Sequence, residues 1–229
     1  MDLSKVNTRY LRQEDLLPDS MRGIGINIIG VGAVGSFTAL ALAKMGFSNI
    51  KVFDHDKVEE HNISNQFYKL ADIGKLKVEA LAGMIKEFED INIQTVPEKY
   101  TGDPRKSLLP GIVISAVDSI AARQEIYKHI KNKPQLSMYI DLRMSLEFGE
   151  IHVMNPNEPK DFEYYESTIK DPKDVIHDRC TAKAVMHNVL SLASFAGSIV
   201  TRFVRKENVM IKKHIALDLI NLSVIVIEK

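Results

Sequence analysis

A run of glycines between an apolar segment and a helical pattern constrains this chain more than any other feature. Gly30, Gly32 and Gly35 have the spacing G-x-G-x-x-G, directly after the β-branched run 25–29 and before a stretch with helical hydrophobic spacing. Such glycines allow a tight turn and a close approach of backbone N–H groups to a phosphate, and the positive end of the following helix favours an anion. The pattern predicts a nucleotide-binding turn. The alternative is a turn that serves packing alone.

A second apolar run, 49–53, ends at Asp54. The order strand, glycine turn, helix, strand makes a βαβ unit. A carboxylate at the end of the second strand is placed to accept hydrogen bonds from ribose hydroxyls. Up to Asp54 the sequence suits NAD and ATP equally well.

The remaining elements extend this unit to a Rossmann-like α/β fold. We expect a mostly parallel central sheet flanked by helices, with a C-terminal antiparallel hairpin. The length of 229 residues fits a single domain, 1–229, with an N-terminal arm over 1–20 and a poorly structured crossover loop over 155–180. The further predicted helices span 75–89, 119–131 and 181–206, and the further strands 92–97, 111–116, 138–142, 149–154, 209–220 and 223–227.

The composition narrows the class of protein. Lys and Arg together number 30, as do Asp and Glu, and this neutral balance argues against bulk electrostatic binding to nucleic acid or an anionic membrane. The single cysteine, Cys180, excludes an intrachain disulfide and a cysteine-rich zinc site. The start of the chain is polar, and no apolar run has the length of a spanning helix. We therefore expect a cytoplasmic protein with neither a membrane nor a nucleic-acid partner.

Four more motifs follow the glycine turn in a fixed order. They are D-x-D-x-V at 54–58, Asn-Ile-Ser-Asn-Gln at 62–66, G-x-x-K at 74–77 and D-x-x-x-x-R at 118–123. Each motif is weak alone, but their order is jointly specific. From about residue 9 to residue 202 the chain resembles the ThiF/MoeB/HesA family, the ubiquitin-activating-type adenylyltransferases.

The resemblance implies an enzyme that uses ATP and Mg²⁺ to join a carboxylate to AMP. The implied substrate is the C-terminal glycine of a small ubiquitin-like or sulfur-carrier protein. Two alternatives stay open: adenylation of a non-protein carboxylate on a tRNA base or a peptide, and a non-catalytic nucleotide-binding partner module. An NAD(P)-dependent oxidoreductase is disfavoured, because the motifs from 54 to 77 have no explanation in a dehydrogenase.

The resemblance also assigns roles to side chains. Lys77 is implied to place its ammonium against the triphosphate, whereas the alternative is a solvated lysine of the kind expected at Lys75. Asp118 is implied to hold Mg²⁺, which prefers carboxylate oxygen, and its alternative is the N-cap of the following helix. For Asp56, the family's second acid, the alternative is a loop cap or a salt bridge. The implied nucleotide-binding set is Gly30, Gly32, Gly35, Asp54, Asp56, Asn62, Gln66 and Lys77.

The N-terminal arm carries a further implied contact. Residues 9–13 resemble the family's R-Y-x-R-Q, an arm that reaches the ATP site of the neighbouring subunit. The resemblance therefore implies a homodimer in which Arg12 contacts the γ-phosphate in trans. The alternative for Arg12 is an ordinary surface charge. The family's Asn-Leu-x-Arg-Gln arginine is missing here, because Asn65 stands in its place and lacks the charge.

Cys180 lies just before a predicted long helix and beside Arg179 and Lys183. A helix N-terminus and nearby cations lower the pKa of a thiol and favour the thiolate. The resemblance implies a nucleophile that forms a thioester or persulfide after adenylation. A lone cysteine is otherwise commonly an inert core residue.

Overall fold

An eight-stranded mixed sheet forms the centre of the protein. The computed structural model describes residues 8–169, 185–206 and 214–227. The strands are β1 (Gly25–Ile29), β2 (Ile50–Phe53), β3 (Gln94–Val96), β4 (Gly111–Ser115), β5 (Leu136–Ser145), β6 (Phe148–Met154), β7 (His214–Asp218) and β8 (Ser223–Ile227). Their order is β3-β2-β1-β4-β5-β6-β7-β8. The first five strands run parallel, and each later strand is antiparallel to its neighbour.

Helices cover both faces of the sheet. They are α1 (Ala33–Lys44), α2 (Lys77–Glu89), α3 (Ile120–Ile130), α4 (Pro159–Thr168) and α5 (Met186–Val204). Helices α1, α2 and α5 share one apolar core, and α3 and α4 share the other. Because successive strand residues point to opposite faces, Ile112 and Ile114 of β4 join the first core and Val113 joins the second. Among the described residues, no helix combines the length and apolar character needed to cross a membrane.

The structure confirms the predicted fold class, including the C-terminal hairpin of β7 and β8. The hairpin turn is closed by the Asp218 carboxylate, which accepts hydrogen bonds from the backbone N–H groups of Ile220 and Asn221. The beginnings of the predicted helix 181–206 and strand 209–220 lie partly outside the described residues.

The expectation of a poorly structured crossover loop was wrong for its first part, because α4 occupies residues 159–168. Pro159 stands in the first turn, where its missing N–H costs nothing. Phe162 and Tyr165, three residues apart, are buried on one side of the helix. The Asp161 carboxylate accepts a hydrogen bond from the Asn155 backbone N–H at 2.8 Å and fixes the entry to the helix. Residues 170–180 lie outside the described part of the chain.

A buried ion cluster joins β5 to α3 and α4. The fully buried Asp141 carboxylate pairs with Arg123 of α3 and with Nε of Arg143 at 2.8 Å. Tyr165 of α4 donates its hydroxyl to the same carboxylate at 3.0 Å. Burial opposes ionisation of Asp141, but the two guanidinium groups outweigh it and hold the pKa of Asp141 below its ordinary value of 3.8. The cluster is therefore charged at neutral pH.

Removing the Asp141 charge should destabilise the fold strongly. Asp141→Asn leaves two largely buried guanidinium groups without their anion, so we expect the free energy of unfolding to fall by about 3–5 kcal/mol. The folded-state pKa of Asp141 is depressed, so its contribution is present above the ordinary pKa and is lost as pH falls through the folded-state value. Urea unfolding between pH 3 and 7 measures both effects.

The control for this experiment is Glu87→Gln, which breaks an exposed ion pair with Lys69. Exposed pairs contribute little to stability, so this variant should unfold almost as the wild type does. Equal stabilities for the two variants would contradict the importance of the buried cluster.

Candidate nucleotide-binding site

The loops that follow β1, β2 and β4 begin at one edge of the sheet. Gly30 donates its N–H to Phe53 O at 2.9 Å, and Ala116 donates to Ile29 O at 2.9 Å. The carboxyl ends of β1, β2 and β4 are thereby linked side by side. The carboxyl edge of adjacent parallel strands, where the helix connections diverge, is the usual place for a ligand in an open α/β sheet.

Two of the three motif glycines are required by close packing. Gly30 has φ +87°, and a Cβ on it would lie 2.8 Å from the carbonyl oxygen of Ala116. A Cβ on Gly35 would lie 1.9 Å from Gly30 O. Gly32 differs, because no atom of the described residues outside its chain neighbours lies within 4 Å of the position its Cβ would take. It is the N-cap of α1, and as a glycine it has no side chain that could accept from the N–H groups of the first turn. Open space therefore adjoins the positive end of α1, where a phosphate group is favoured.

Asp54 and Tyr68 hold the glycine turn from two sides. Oδ2 of Asp54 accepts a hydrogen bond from Val31 N at 2.8 Å, and its Oδ1 accepts from Asp56 N at 2.9 Å. The Tyr68 hydroxyl donates to Val31 O at 2.6 Å. Burial raises the pKa of Tyr68, and the nearby carboxylates of Asp54 and Asp56 raise it further, so the hydroxyl stays a donor. The sequence predicts that Asp54 contacts a ribose. In the structure its carboxylate fixes the turn that faces the ligand space.

Sequence reasoning did not find Tyr68, nor the role of Ser36 in α1. The Ser36 hydroxyl accepts a hydrogen bond from Phe67 N at 3.0 Å, which docks the 65–68 segment against the start of α1. Both contacts join residues more than thirty positions apart, so no local sequence motif predicts them.

Lys77 is a nearly buried cation at the first position of α2. Its side chain is 9% exposed, whereas that of Lys75 is 56% exposed and pairs with Asp72. Nζ of Lys77 lies 2.9 Å from Oδ2 of Asp56, so the salt bridge left open for Asp56 is present. Partial burial opposes ionisation of Asp56, but the hydrogen bond and charge of Lys77 outweigh it and lower the pKa of Asp56.

This position is unfavourable for a lysine unless an anion is near. The first turn of a helix is the positive end of its dipole, and a buried ammonium needs compensation. Asp56 supplies one negative charge, but its own side chain is half exposed. The arrangement is suited to receive additional negative charge from a ligand.

The amides of the 62–66 motif divide into two kinds. Oδ1 of Asn62 accepts a hydrogen bond from Glu59 N at 2.9 Å, which closes the turn at 60–62. The amide oxygens of Asn65 and Gln66 are buried and have no hydrogen-bond partner within the described ranges. A buried acceptor without a donor costs about 1–3 kcal/mol. A ligand hydroxyl would satisfy such an oxygen.

Asp118 lies three residues beyond β4 and is exposed. Ser119, not Asp118, caps α3, because the Ser119 hydroxyl accepts from Ala122 N at 3.2 Å. Across residues 8–169, 185–206 and 214–227, no hydrogen bond or ion pair engages the Asp118 carboxylate. The buried Arg123 donates to Val117 O and so fixes the backbone just before Asp118. A carboxylate held in place and left unpaired suits a hard cation.

Arg12 does not reach this site within its own chain. It is exposed in a short 3₁₀ helix, Thr8–Gln13. Nε2 of Gln13 donates to Lys44 O at 3.1 Å, and Arg9 donates to Glu89 O, so the arm packs on the C-terminal ends of α1 and α2. The glycine turn is at the other end of the 12-residue α1, about 18 Å away. Cys180 lies outside the described residues.

Comparison with known proteins places the chain in a family. The model of the ThiF family matches residues 13–224. Ubiquitin-like modifier-activating enzyme 5 of Rattus norvegicus is 29% identical over 155 residues, which cover 61% of this chain and 38% of that protein. The protein of the same name from Branchiostoma floridae is 30% identical over 155 residues, with the same shares. The chain thus spans less than two fifths of these relatives.

Solved structures share the fold at low sequence identity. E. coli MccB with ATP has a TM-score of 0.75 and 18% identity, with 97% of this chain and 72% of that chain covered. MccB with AMPCPP and MccA has a TM-score of 0.77 and 17% identity, covering 98% of this chain and 72% of that one. PaaA has a TM-score of 0.74 and 19% identity, with 100% and 87% covered.

The three glycines should respond differently to alanine. Gly35→Ala forces a Cβ against Gly30 O, so we expect a loss of at least about 1–3 kcal/mol of stability, or several degrees in Tm. Gly32→Ala meets no protein atom and should keep nearly the wild-type Tm, while it obstructs the ligand space and weakens nucleotide binding. Thermal unfolding and a nucleotide titration on both variants check this. A Gly32→Ala protein that binds nucleotide normally would contradict the assignment of that space.

Proposed function

The chain belongs to the ThiF family, and from that premise we propose that it is an ATP-dependent adenylyltransferase that activates a carboxylate. Three features on the segments that follow the carboxyl ends of β1, β2 and β4 support the proposal. These are the open N-terminus of α1 at Gly32, the nearly buried ammonium of Lys77 and the carboxylate of Asp118, which has no partner among the described residues.

The residues present fit ATP. The N–H groups of the first turn of α1 and the ammonium of Lys77 are suited to bind phosphate oxygens. The amide oxygens of Asn65 and Gln66, which have no partner in the described part of the chain, leave acceptors for ribose hydroxyls. The Asp54 carboxylate is already engaged by two backbone donors, and an oxygen with spare lone pairs can still accept from a ribose.

The residues also fit Mg²⁺, which we propose is held by Asp118. Asp54, His55 and Asp56 offer ligand atoms within 4.8 Å of one another at the end of β2, two strands away from β4. When bound, Mg²⁺ would supply positive charge that offsets the charge of the phosphates.

In the proposed reaction the substrate carboxylate attacks the α-phosphorus of ATP. An O–P bond forms to the acyl group, and the bond between the α-phosphorus and the bridging oxygen breaks, which releases pyrophosphate. The carboxylate is already an anion, so no general base is required. The contribution of the chain is positioning and charge: Lys77 exchanges part of its pairing with Asp56 for phosphate oxygen, and Arg123 keeps the Val117–Asp118 backbone in place.

We propose the C-terminal glycine of a small ubiquitin-like or sulfur-carrier protein as the carboxylate. Support comes from the names of the relatives, which are ubiquitin-like modifier-activating enzymes. A peptide carboxyl group is the second candidate, because MccB, with the same fold over 98% of this chain, was solved with MccA. A nucleotide-binding module without catalysis is the third, because Asn65 lacks the charge of the family arginine.

Loss of the Lys77 charge should abolish most activity. In an ATP–pyrophosphate exchange assay with a Gly-Gly-ending carrier protein, Lys77→Met should reduce the rate by about 10²–10³-fold, the usual cost of one transition-state charge contact. Lys75→Met is the matched control, since that side chain is exposed and only two residues away; it should keep the wild-type rate. If carrier proteins and peptides all fail to support exchange although ATP binds, the non-catalytic module is favoured.

The position of the arm predicts complementation between subunits. We propose a homodimer in which Arg12 serves the site of its partner, since its own site lies at the far end of α1. Arg12→Ala and Lys77→Met should each be inactive, yet a mixture re-equilibrated from subunits should recover about one quarter of wild-type exchange. Random pairing puts half of the protomers in mixed dimers, and each mixed dimer has one complete site. No recovery from verified mixed dimers would refute action in trans.

A further inference from the structure

Three side chains of metal-ligating type meet on β6 and β7. His152 of β6 pairs in register with His214 of β7, and Glu150 lies two residues before His152 on the same face. Their ligand atoms all lie within 4.8 Å of one another. The cluster is two to three strands from the end of β4, roughly 10–15 Å from the nucleotide site.

The two imidazoles are buried and incompletely satisfied. The His152 side chain is 2% exposed and that of His214 is 13% exposed. Within the described part of the chain, neither Nε2 atom has a hydrogen-bond partner. The nearest carboxylate oxygens are those of Glu150, each 3.5 Å from one Nε2. That distance exceeds the 2.7–3.2 Å of a hydrogen bond. Two largely buried nitrogen atoms whose nearest carboxylate oxygen lies beyond hydrogen-bond distance are costly unless another group occupies the space between them and Glu150.

The separations between each imidazole nitrogen and its carboxylate oxygen are close to those in a tetrahedral zinc centre. Ligand atoms that lie about 2.0–2.1 Å from Zn²⁺ at tetrahedral angles are roughly 3.3–3.4 Å apart. The 3.5 Å between each Nε2 and its Glu150 oxygen is close to this value. The rings of His152 and His214 are stacked, with centroids 4.3 Å apart and planes inclined by 23°, so the two imidazoles lie side by side on one face of the sheet.

The surroundings orient His152 as a ligand. Its Nδ1 lies 2.7 Å from the Tyr164 hydroxyl of α4. If Nδ1 carries the proton and donates to the tyrosine oxygen, the lone pair of Nε2 is left for a metal, which is the usual arrangement around metal-binding histidines. Glu150 is 47% exposed, so the fourth position opens to solvent. Two imidazoles and one carboxylate select Zn²⁺ rather than Mg²⁺.

We propose that Glu150, His152 and His214 bind one Zn²⁺ ion that fastens the β7–β8 hairpin to the rest of the sheet. The ion would bridge β6 to β7 and, through Tyr164, would connect both strands to α4. This site is independent of the nucleotide site and of the adenylation reaction.

Metal titration of the untagged full-length chain tests the proposal. After removal of bound metal with a chelator, calorimetry should show one Zn²⁺ per chain, and Co²⁺ should give the visible absorption of tetrahedral coordination. Zn²⁺ at about 100-fold over its Kd should raise Tm by roughly 5–10 °C, whereas Mg²⁺ should not. Binding of less than one equivalent, or an octahedral Co²⁺ spectrum, would overturn the proposal.

Substitutions of the proposed ligands test where the ion binds. His152→Gln and His214→Gln should each abolish stoichiometric binding, and Tyr164→Phe should weaken it by about 10–100-fold. His187→Gln is the matched control, because His187 also has Nε2 3.5 Å from a carboxylate, that of Glu147, but this pair is exposed. It should bind Zn²⁺ as the wild type does.

Two outcomes would refute the proposed zinc site. One is that His187→Gln lowers the Zn²⁺ affinity as much as folded His214→Gln does. The other is that His152→Gln and His214→Gln both keep the wild-type affinity. Circular dichroism verifies folding, and the wild-type titration decides alone if a variant does not fold.

Discussion

The candidate site depends on a close backbone contact between two turns. Gly30 and Gly35 bring the turn after β1 against Ala116, the first residue after β4, at distances that leave no room for a side chain. This contact sets the N-terminus of α1 beside the loop that carries Asp118. The ligand space therefore results from packing. Gly30 and Gly35 form the tightly packed part of the turn, and Gly32 faces the open space.

The charged groups at the end of β2 and the start of α2 are held by protein partners before any ligand arrives. Asp56 holds Lys77, and Asp54 holds the amide of Val31. Acidic residues at the end of β2 thus have a structural task in addition to the ligand contact that the motif predicts. Pre-placed dipoles and charges need little reorganisation when phosphate binds, which is how such sites stabilise developing charge. The pair with Asp56 also offsets the desolvation cost of the nearly buried Lys77 ammonium in the ligand-free protein.

Local patterns predicted the parallel half of the fold well. The bounds of β1 match the predicted strand 25–29, because a β-branched run between glycines has a clear local signature. Helix α4 was missed because prolines and acidic residues obscured the spacing of Phe162 and Tyr165. Long-range contacts were beyond reach: Tyr68 meets Val31 only after folding, and His152 and His214 are 62 positions apart, paired only by strand register. Motif order therefore predicted the candidate site residues, while the groups that hold their side chains and backbone became visible only in three dimensions.

The change from parallel to antiparallel pairing at β5 and β6 joins the two regions of interest. Asp141 of β5 pairs in register with His152 of β6, and the same carboxylate holds Arg123, which holds the backbone before Asp118. A continuous series of contacts therefore runs from the histidine pair to the nucleotide site. Contiguity alone is no evidence of allostery, which requires an element with two arrangements. Asp141 and Arg123, at the centre of this series, are buried and paired in a single arrangement, so the series is a rigid connection rather than a switch.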